Sequence, residues 1–357
     1  MKQIKFQKST NKEFTTTLQD RVNEYFKGNG TKRYGGRTMV IKTIVMLSLF
    51  FIPIGFIGSG LIQSVWLLFA LYILSGLGMA GIGMGVMHDA IHGSYSQNPK
   101  VNKYLGYTMN LIGANSRVWK VQHNVLHHTY TNIDQGDDDI NAPLFLRFSP
   151  NAKRYWIHRF QHFYVWFFYG LSTISWITTK DFVRALRYRK MGLLKGDFKK
   201  VLLKISGWKV LYYSYALVLP LIMVPLPAWI ILLAFLSMHF VTGLLISLIF
   251  QTAHILEETS FPKADEKGII ADAWATHQLA TTSNYAPKSR IFSWLIGGLN
   301  FQVEHHLFPN ISHVHYSKIS KIVAKTAEEF KIPYLVNPSF LSALTDHAKM
   351  LRQLGRA

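Results

Sequence analysis

The 357-residue chain carries fifteen histidines and no cysteine. Seven of these histidines fall at spacings that suit metal ligation. His88 and His92 stand four apart, which puts both imidazoles on one face of a helix. His123, His127 and His128 form a second group. On an α-helix His123 and His127 share a face, and His128 points about 100° further round. Gln302, His305 and His306 form a third, again at i, i+3 and i+4. His254 ends a long apolar stretch. The missing cysteines exclude a disulfide framework, a thiolate metal site and a thiol nucleophile. A single histidine is ordinarily a surface or hydrogen-bonded core residue. Several groups, each just outside an apolar run, point instead to metal. Eight imidazoles exceed the three or four ligands of one zinc, but supply about four each to two metals. Imidazole suits Fe, Zn and Cu, and a histidine-ligated di-iron centre fits a redox role best. Such a centre differs from the Glu-rich kind built inside four-helix bundles.

Apolar segments must hold these groups in place. No Asp, Glu, Lys or Arg occurs in 43–87 or in 210–256. One helix crosses a bilayer in ~20 residues, so each run holds two spans. The expected spans are about 41–57, 61–85, 210–224 and 228–249. They divide at Gly58-Ser59-Gly60 and Pro225-Leu226-Pro227. The expected fold class is therefore an all-α integral membrane protein. Its four transmembrane helices form two hairpins, capped by a cytosolic helical domain holding the di-iron site. Lys and Arg number 10 in 1–42, 18 between the runs and 11 after them, with none at the hairpin tips. By the positive-inside bias, both termini and the cytosolic stretches 88–206 and 254–357 face the cytoplasm, in a bacterial cytoplasmic membrane.

The domain division is a cytosolic amphipathic segment 1–38, without a cleavable signal, and a membrane domain 39–357. Residues 14–27 read as an amphipathic helix at the membrane surface. The aromatic stretch 155–177 reads as an interfacial helix, with His158 and His162 on its face. His239 reads as a packing residue within a span, and His277, His313, His315 and His347 as solvated or supporting groups. The net charge of +20 would suit nucleic acid, but 49% hydrophobic and 16% charged residues describe a membrane protein. No nucleic-acid partner is expected.

The segments 88–92, 123–128 and 302–306, set around apolar hairpins, resemble the three histidine boxes of the membrane fatty acid desaturases. The resemblance covers about 39–335. Related hydroxylases and ketolases share such boxes. His127-His128-Thr129-Tyr130-Thr131-Asn132 followed by Gly136-Asp137-Asp138-Asp139 is similar to the desaturase continuation of the second box. The stretch 278–284 is similar to a segment before the third. Gln302 in place of a first box histidine is typical of the front-end, Δ5/Δ6-type subgroup. Leu307-Phe308-Pro309, His313, Tyr316 and Pro333-Tyr334 also fit that subgroup. A His-Pro-Gly-Gly haem motif is absent, so a fused cytochrome b5 domain is not expected.

The resemblance implies removal of two hydrogens from an acyl chain, with O2 as co-substrate and two irons as cofactor. It implies His88, His92, His123, His127, His128, His254, His305 and His306 as ligands, and Gln302 as a weak ligand or donor. Asp89, Asn124, Asn132, Asp137, Asp138, Asp139, Asn284 and Glu304 are candidates to hold the second ring nitrogens. Trp119, Trp274 and Trp294 are candidates for an acyl channel. The substrate would be an acyl lipid, acyl-CoA or acyl-carrier protein. Electrons would come from an external ferredoxin, flavodoxin or free cytochrome b5-like carrier, with membrane lipids as surroundings. The alternatives are an acyl or sphingoid hydroxylase on the same scaffold and a zinc-dependent membrane hydrolase.

Overall fold

The computed structural model describes residues 4–7 and 11–356. Two compact units divide the chain. One consists of 36–121 and 166–248; the other takes the described part of 1–35 with 122–165 and 249–357.

The first unit is dominated by apolar helices. Four helices are long and apolar enough to cross a membrane: Gly36–Gly58, Val65–His92, Phe198–Met223 and Ala228–His254, the last running on past this unit. They have 23 to 28 residues, against the ~20 that a bilayer requires. In hydrocarbon every backbone N–H and C=O must find its partner within the segment, so apolar runs of this length become helices. Their outward side chains are apolar, with Ile52, Trp66, Ile222 and Trp229 all exposed. That is the reverse of a water-soluble surface.

Small residues set the packing between these helices. A Cβ on Gly78 would lie 2.5 Å from the Phe50 backbone nitrogen. Ser75 Oγ donates to the Phe50 carbonyl at 3.2 Å. The Gly36–Gly58 and Val65–Gly81 helices therefore meet backbone to backbone. Two buried polar side chains inside the unit are well satisfied. Lys209 uses all three ammonium hydrogens, donating to Asp181 Oδ2 at 2.8 Å and to the carbonyls of Gly113 at 3.0 Å and Trp176 at 2.6 Å. His239 Nε2 lies 2.6 Å from the Tyr212 hydroxyl, and its Nδ1 lies 3.3 Å from Thr173 Oγ1.

The helix Val65–His92 is not uniform. It widens to a π-helical turn at Ile82–Val86 before its last turn, Met87–His92. It stops at Gly93, whose φ of +79° suits a residue without a Cβ. The aromatic stretch is likewise broken. A 3-10 turn at Trp156–Phe160 leads into the helix Gln161–Gly170, then the short helix Ser172–Ser175 and a π turn at Trp176–Lys180. Trp156, Phe160 and Phe163 are exposed.

The second unit is built on its own core. In the helix Lys12–Gly28, Phe14, Leu18, Val22 and Phe26 are buried at four-residue spacing. They pack into a cluster with Ile319, Val323 and Ala327 of the helix Tyr316–Glu329. Arg21 pairs with Glu329 at 2.6 Å across the same contact. The amphipathic pattern read as a membrane-surface helix is thus satisfied by protein. Two short parallel ladders depart from the all-α expectation: Lys5–Phe6 with Ile269–Ile270, and Ser283–Tyr285 with Leu335–Asn337. The second ladder seats Asn284 beside the helix Gln302–Leu307.

Candidate metal centre

Within the second unit, six of the expected ligands form two trios. The first trio is His123, His128 and His305. Its Nε2 atoms form a triangle with sides of 3.2 Å (123–128), 3.0 Å (128–305) and 3.4 Å (123–305). A metal with bonds of about 2.1 Å places neighbouring ligand atoms about 3.0 to 3.4 Å apart, between octahedral and tetrahedral geometry. The triangle therefore fits one ion. The second trio is His127, His254 and His306, with one ring nitrogen from each lying within 4.8 Å of the others. The Nε2 atoms of His127 and His254 are buried and have no hydrogen-bond partner among the described residues. Buried imidazole nitrogens left bare beside one another are what a metal would satisfy. The trios adjoin, with the His128 and His306 rings stacked at 4.4 Å.

The second-box histidines contribute to both trios. Residues Val121–His127 form a π-helix. Its i→i+5 bonding widens the turn and brings residues five apart onto one face. His123 keeps its place beside His127, with the rings stacked at 5.3 Å, and also meets His128, so the three histidines fan over both trios. In the helix Gln302–Leu307, all of whose residues are buried, His305 and His306 likewise divide between the trios. Gln302 sits on the same helix, fully buried, and its amide has no hydrogen-bond partner among the described residues.

Each imidazole of the second trio is held from behind at Nδ1. His127 Nδ1 lies 3.1 Å from both carboxylate oxygens of Asp137. His254 Nδ1 lies 3.2 Å from the Thr281 carbonyl, and His306 Nδ1 lies 2.8 Å from Gln278 Oε1. Such partners place the proton on Nδ1 and leave Nε2 as the ligating atom. Burial acts to lower the pKa of His127, but Asp137 and Asp139 outweigh it and raise the value to about 9. In the first trio, His305 Nδ1 lies 3.2 Å from the Tyr316 hydroxyl.

The expected supporting residues divide. Of the three consecutive aspartates, Asp137 meets His127 most closely; Asp139 is further off at 3.6 Å, and Asp138 accepts from Asn141 at 3.4 Å. Asn132 does its work through the backbone: its amide group donates to the carbonyls of His254 and Ser260, at 2.8 and 3.2 Å. Glu304 is buried and accepts from Asn284 Nδ2 and from the Tyr334 hydroxyl, both at 2.8 Å. Burial pushes its carboxyl up to about 7, against the pull of these two donors. Asn284 also accepts from the Val303 backbone at 2.9 Å, which fastens the start of the third-box helix. Asn124 is half-buried.

In the first unit, His88 and His92 end the second candidate span with their rings 4.8 Å apart. Trp119 packs against both rings, at 5.6 and 6.3 Å. Asp89 is buried, and its carbonyl caps the turn by accepting from Ser94. Trp274 donates from its indole to the His128 carbonyl at 3.1 Å, and Trp294 is half-buried on the helix Arg290–Leu295.

Sequence reasoning missed the parts played by Gln278, Thr131 and Thr281. Its one signal was the stretch 278–284, noticed as a motif without a role. The reading of His277, His313, His315 and His347 as solvated or supporting groups is corrected in part, since all four are buried. His347 Nδ1 lies 2.8 Å from the Ile255 carbonyl, and His158 Nε2 lies 2.8 Å from that of Leu144.

A family model described as fatty acid desaturase matches residues 64–338. The chain is 33% identical over 347 residues to an sn-1 linoleoyl-lipid 6-desaturase of Synechocystis sp., covering 96% of each. It is 33% identical over 369 residues to an acyl-lipid (8-3)-desaturase of Physcomitrium patens, covering 98% of this chain and 75% of the other. It is 31% identical over 358 residues to a probable Delta(5) fatty acid desaturase C of Dictyostelium discoideum, covering 96% and 76%.

Proposed function

The chain belongs to the fatty acid desaturase family, and from that premise we propose that it introduces a cis double bond into the acyl chain of a membrane lipid through a histidine-ligated di-iron centre. The position is of the front-end type, on the carboxyl side of existing unsaturation. The choice of an acyl lipid follows the Synechocystis and Physcomitrium relatives, an sn-1 linoleoyl-lipid 6-desaturase and an acyl-lipid (8-3)-desaturase. The front-end assignment follows those same relatives together with Gln302. We assign His88, His92, His123, His127, His128, His254, His305 and His306 as metal ligands. The observation carrying this reading is the pair of imidazole trios in one buried unit, one of them a triangle of 3.0 to 3.4 Å.

The overall change balances as –CH2–CH2– with O2, two electrons and two protons, giving –CH=CH– and two waters. No side chain is basic enough to take a proton from an unactivated methylene. Two bound irons would supply the oxidising power drawn from O2. The remaining work belongs to the chain. Asp137, Gln278 and the Thr281 carbonyl hold three imidazoles in their ligating tautomer. Burial of both trios keeps water away from the reacting carbons. Electrons arrive from a separate acidic carrier attracted by the +20 charge. Both termini are assigned to the cytoplasmic side, and 155–177 to the membrane interface.

Expression in a host with a simple lipid profile, fed defined fatty acids, tests the reading. A new double bond, seen as a loss of two mass units on the lipid-bound chain, is the expected product. A gain of 16 units would make the protein a hydroxylase. One zinc per chain in place of about two irons would sink the redox assignment.

A further inference from the structure

Gln278 is fully buried on the helix Trp274–Thr281, and both ends of its amide are engaged. Nε2 lies 3.2 Å from the His128 carbonyl, and Oε1 lies 2.8 Å from His306 Nδ1. His128 belongs to one trio and His306 to the other. We propose that Gln278 is a positioning residue that sets the ligating tautomer of His306 by reference to the backbone of His128, and so ties the two metal positions together. This rests on the two-metal reading above.

The argument follows from what each atom can do. A backbone carbonyl only accepts, so the amide end facing His128 must be the NH2 group. The other end is then the oxygen, which also only accepts. His306 Nδ1 must therefore carry the hydrogen, and Nε2 keeps the lone pair on the side of His127 and His254. Thr131 completes the arrangement without being able to replace it. Its Oγ1 lies 2.9 Å from Gln278 Oε1, 3.2 Å from His306 Nδ1 and 2.8 Å from the His127 carbonyl. A hydroxyl can donate or accept, so on its own it would allow either tautomer of His306. Trp274, one helical turn before Gln278, donates to the same His128 carbonyl at 3.1 Å. The carbonyl is thereby fixed as the reference point. The same helix also supplies the Thr281 carbonyl beside His254 Nδ1. One eight-residue helix thus orients groups in both trios.

Two variants separate this role from simple packing. Gln278→Glu keeps an acceptor for His306 Nδ1 and, with its buried carboxyl protonated, a donor for the His128 carbonyl, while Gln278→Leu keeps the bulk and removes both. Each is purified at full length in detergent, loaded with ferrous iron-57 and washed. Iron per chain and the Mössbauer spectrum are then measured. Wild type is expected to bind about two irons in two distinguishable environments. Gln278→Leu is expected to lose iron mainly from one environment, with a 10- to 100-fold weaker affinity there. Gln278→Glu is expected to hold both. Equal loss in the two variants, or no loss in Gln278→Leu, would overturn the proposal. Fewer than two irons in wild type would instead overturn the two-metal reading on which it rests.

Discussion

Replacing Asp137 by Asn tests whether one buried carboxylate supports both the fold and the second trio. Its two oxygens receive three N–H groups. Oδ1 accepts from the Asp139 backbone at 2.9 Å, Oδ2 accepts from the Asn132 backbone at 2.9 Å, and His127 Nδ1 sits 3.1 Å from both. In Asp137→Asn one oxygen becomes an NH2 group. Whichever way the amide turns, one backbone N–H then faces a donor. Leaving a buried donor unsatisfied costs about 1–3 kcal/mol. At roughly 1.3 °C per kcal/mol for a chain of this length, the metal-free protein should melt about 1–4 °C lower. A separate effect falls on the metal. His127 exchanges a charged acceptor for a neutral one at best, and losses of such partners weaken metal binding about 10- to 100-fold. Thermal denaturation of the iron-free protein in detergent reads the first quantity. Competition for iron against a chelator of known affinity reads the second. Iron affinity within twofold of wild type would refute the orienting role of Asp137. An unchanged melt would refute the three-donor count.

Two further outcomes follow from buried charge and burial. Lys209→Met should destabilise the protein by about 3–5 kcal/mol, because Asp181 is left buried without its cation. Adding Asp181→Leu should recover much of that loss in the same denaturation assay, and failure to recover would count against a desolvated pair. Burial holds the His347 imidazole down at about 4, below its ordinary value of 6.5, with the Ile255 carbonyl opposing. Its folded form resists protonation, so its stabilisation is present above pH 6.5 and lost as pH falls toward 4, amounting to about 3 kcal/mol. Stability measured across that window should fall with a slope near one proton per molecule, and His347→Leu should flatten the slope.

Much of this protein could be read along the chain because the relevant signals are local. A helix that crosses hydrocarbon must satisfy its own backbone, so two uncharged stretches of 45 and 47 residues announce membrane helices without reference to anything else. The pairs His88 with His92 and Gln302 with His306 stand at helical spacing. The absence of Cys narrows the donor set to imidazole. Each of these depends on neighbours within a few residues.

How the imidazoles group was not local. α-Helical spacing pairs His123 with His127, whose rings do stack at 5.3 Å, but the π-helix Val121–His127 also brings His128 within 3.2 Å of His123. That widening leaves no plain mark in the residue types. Nor does spacing tell which of three adjacent aspartates turns toward His127, since the choice depends on how 132–139 folds back on its own backbone amides. Gln278 and Thr281 reach His306 and His254 across 28 and 27 residues of chain. Hydrogen-bond partners so distant in sequence are brought together only by packing, and packing decided which nitrogen of each imidazole is left bare.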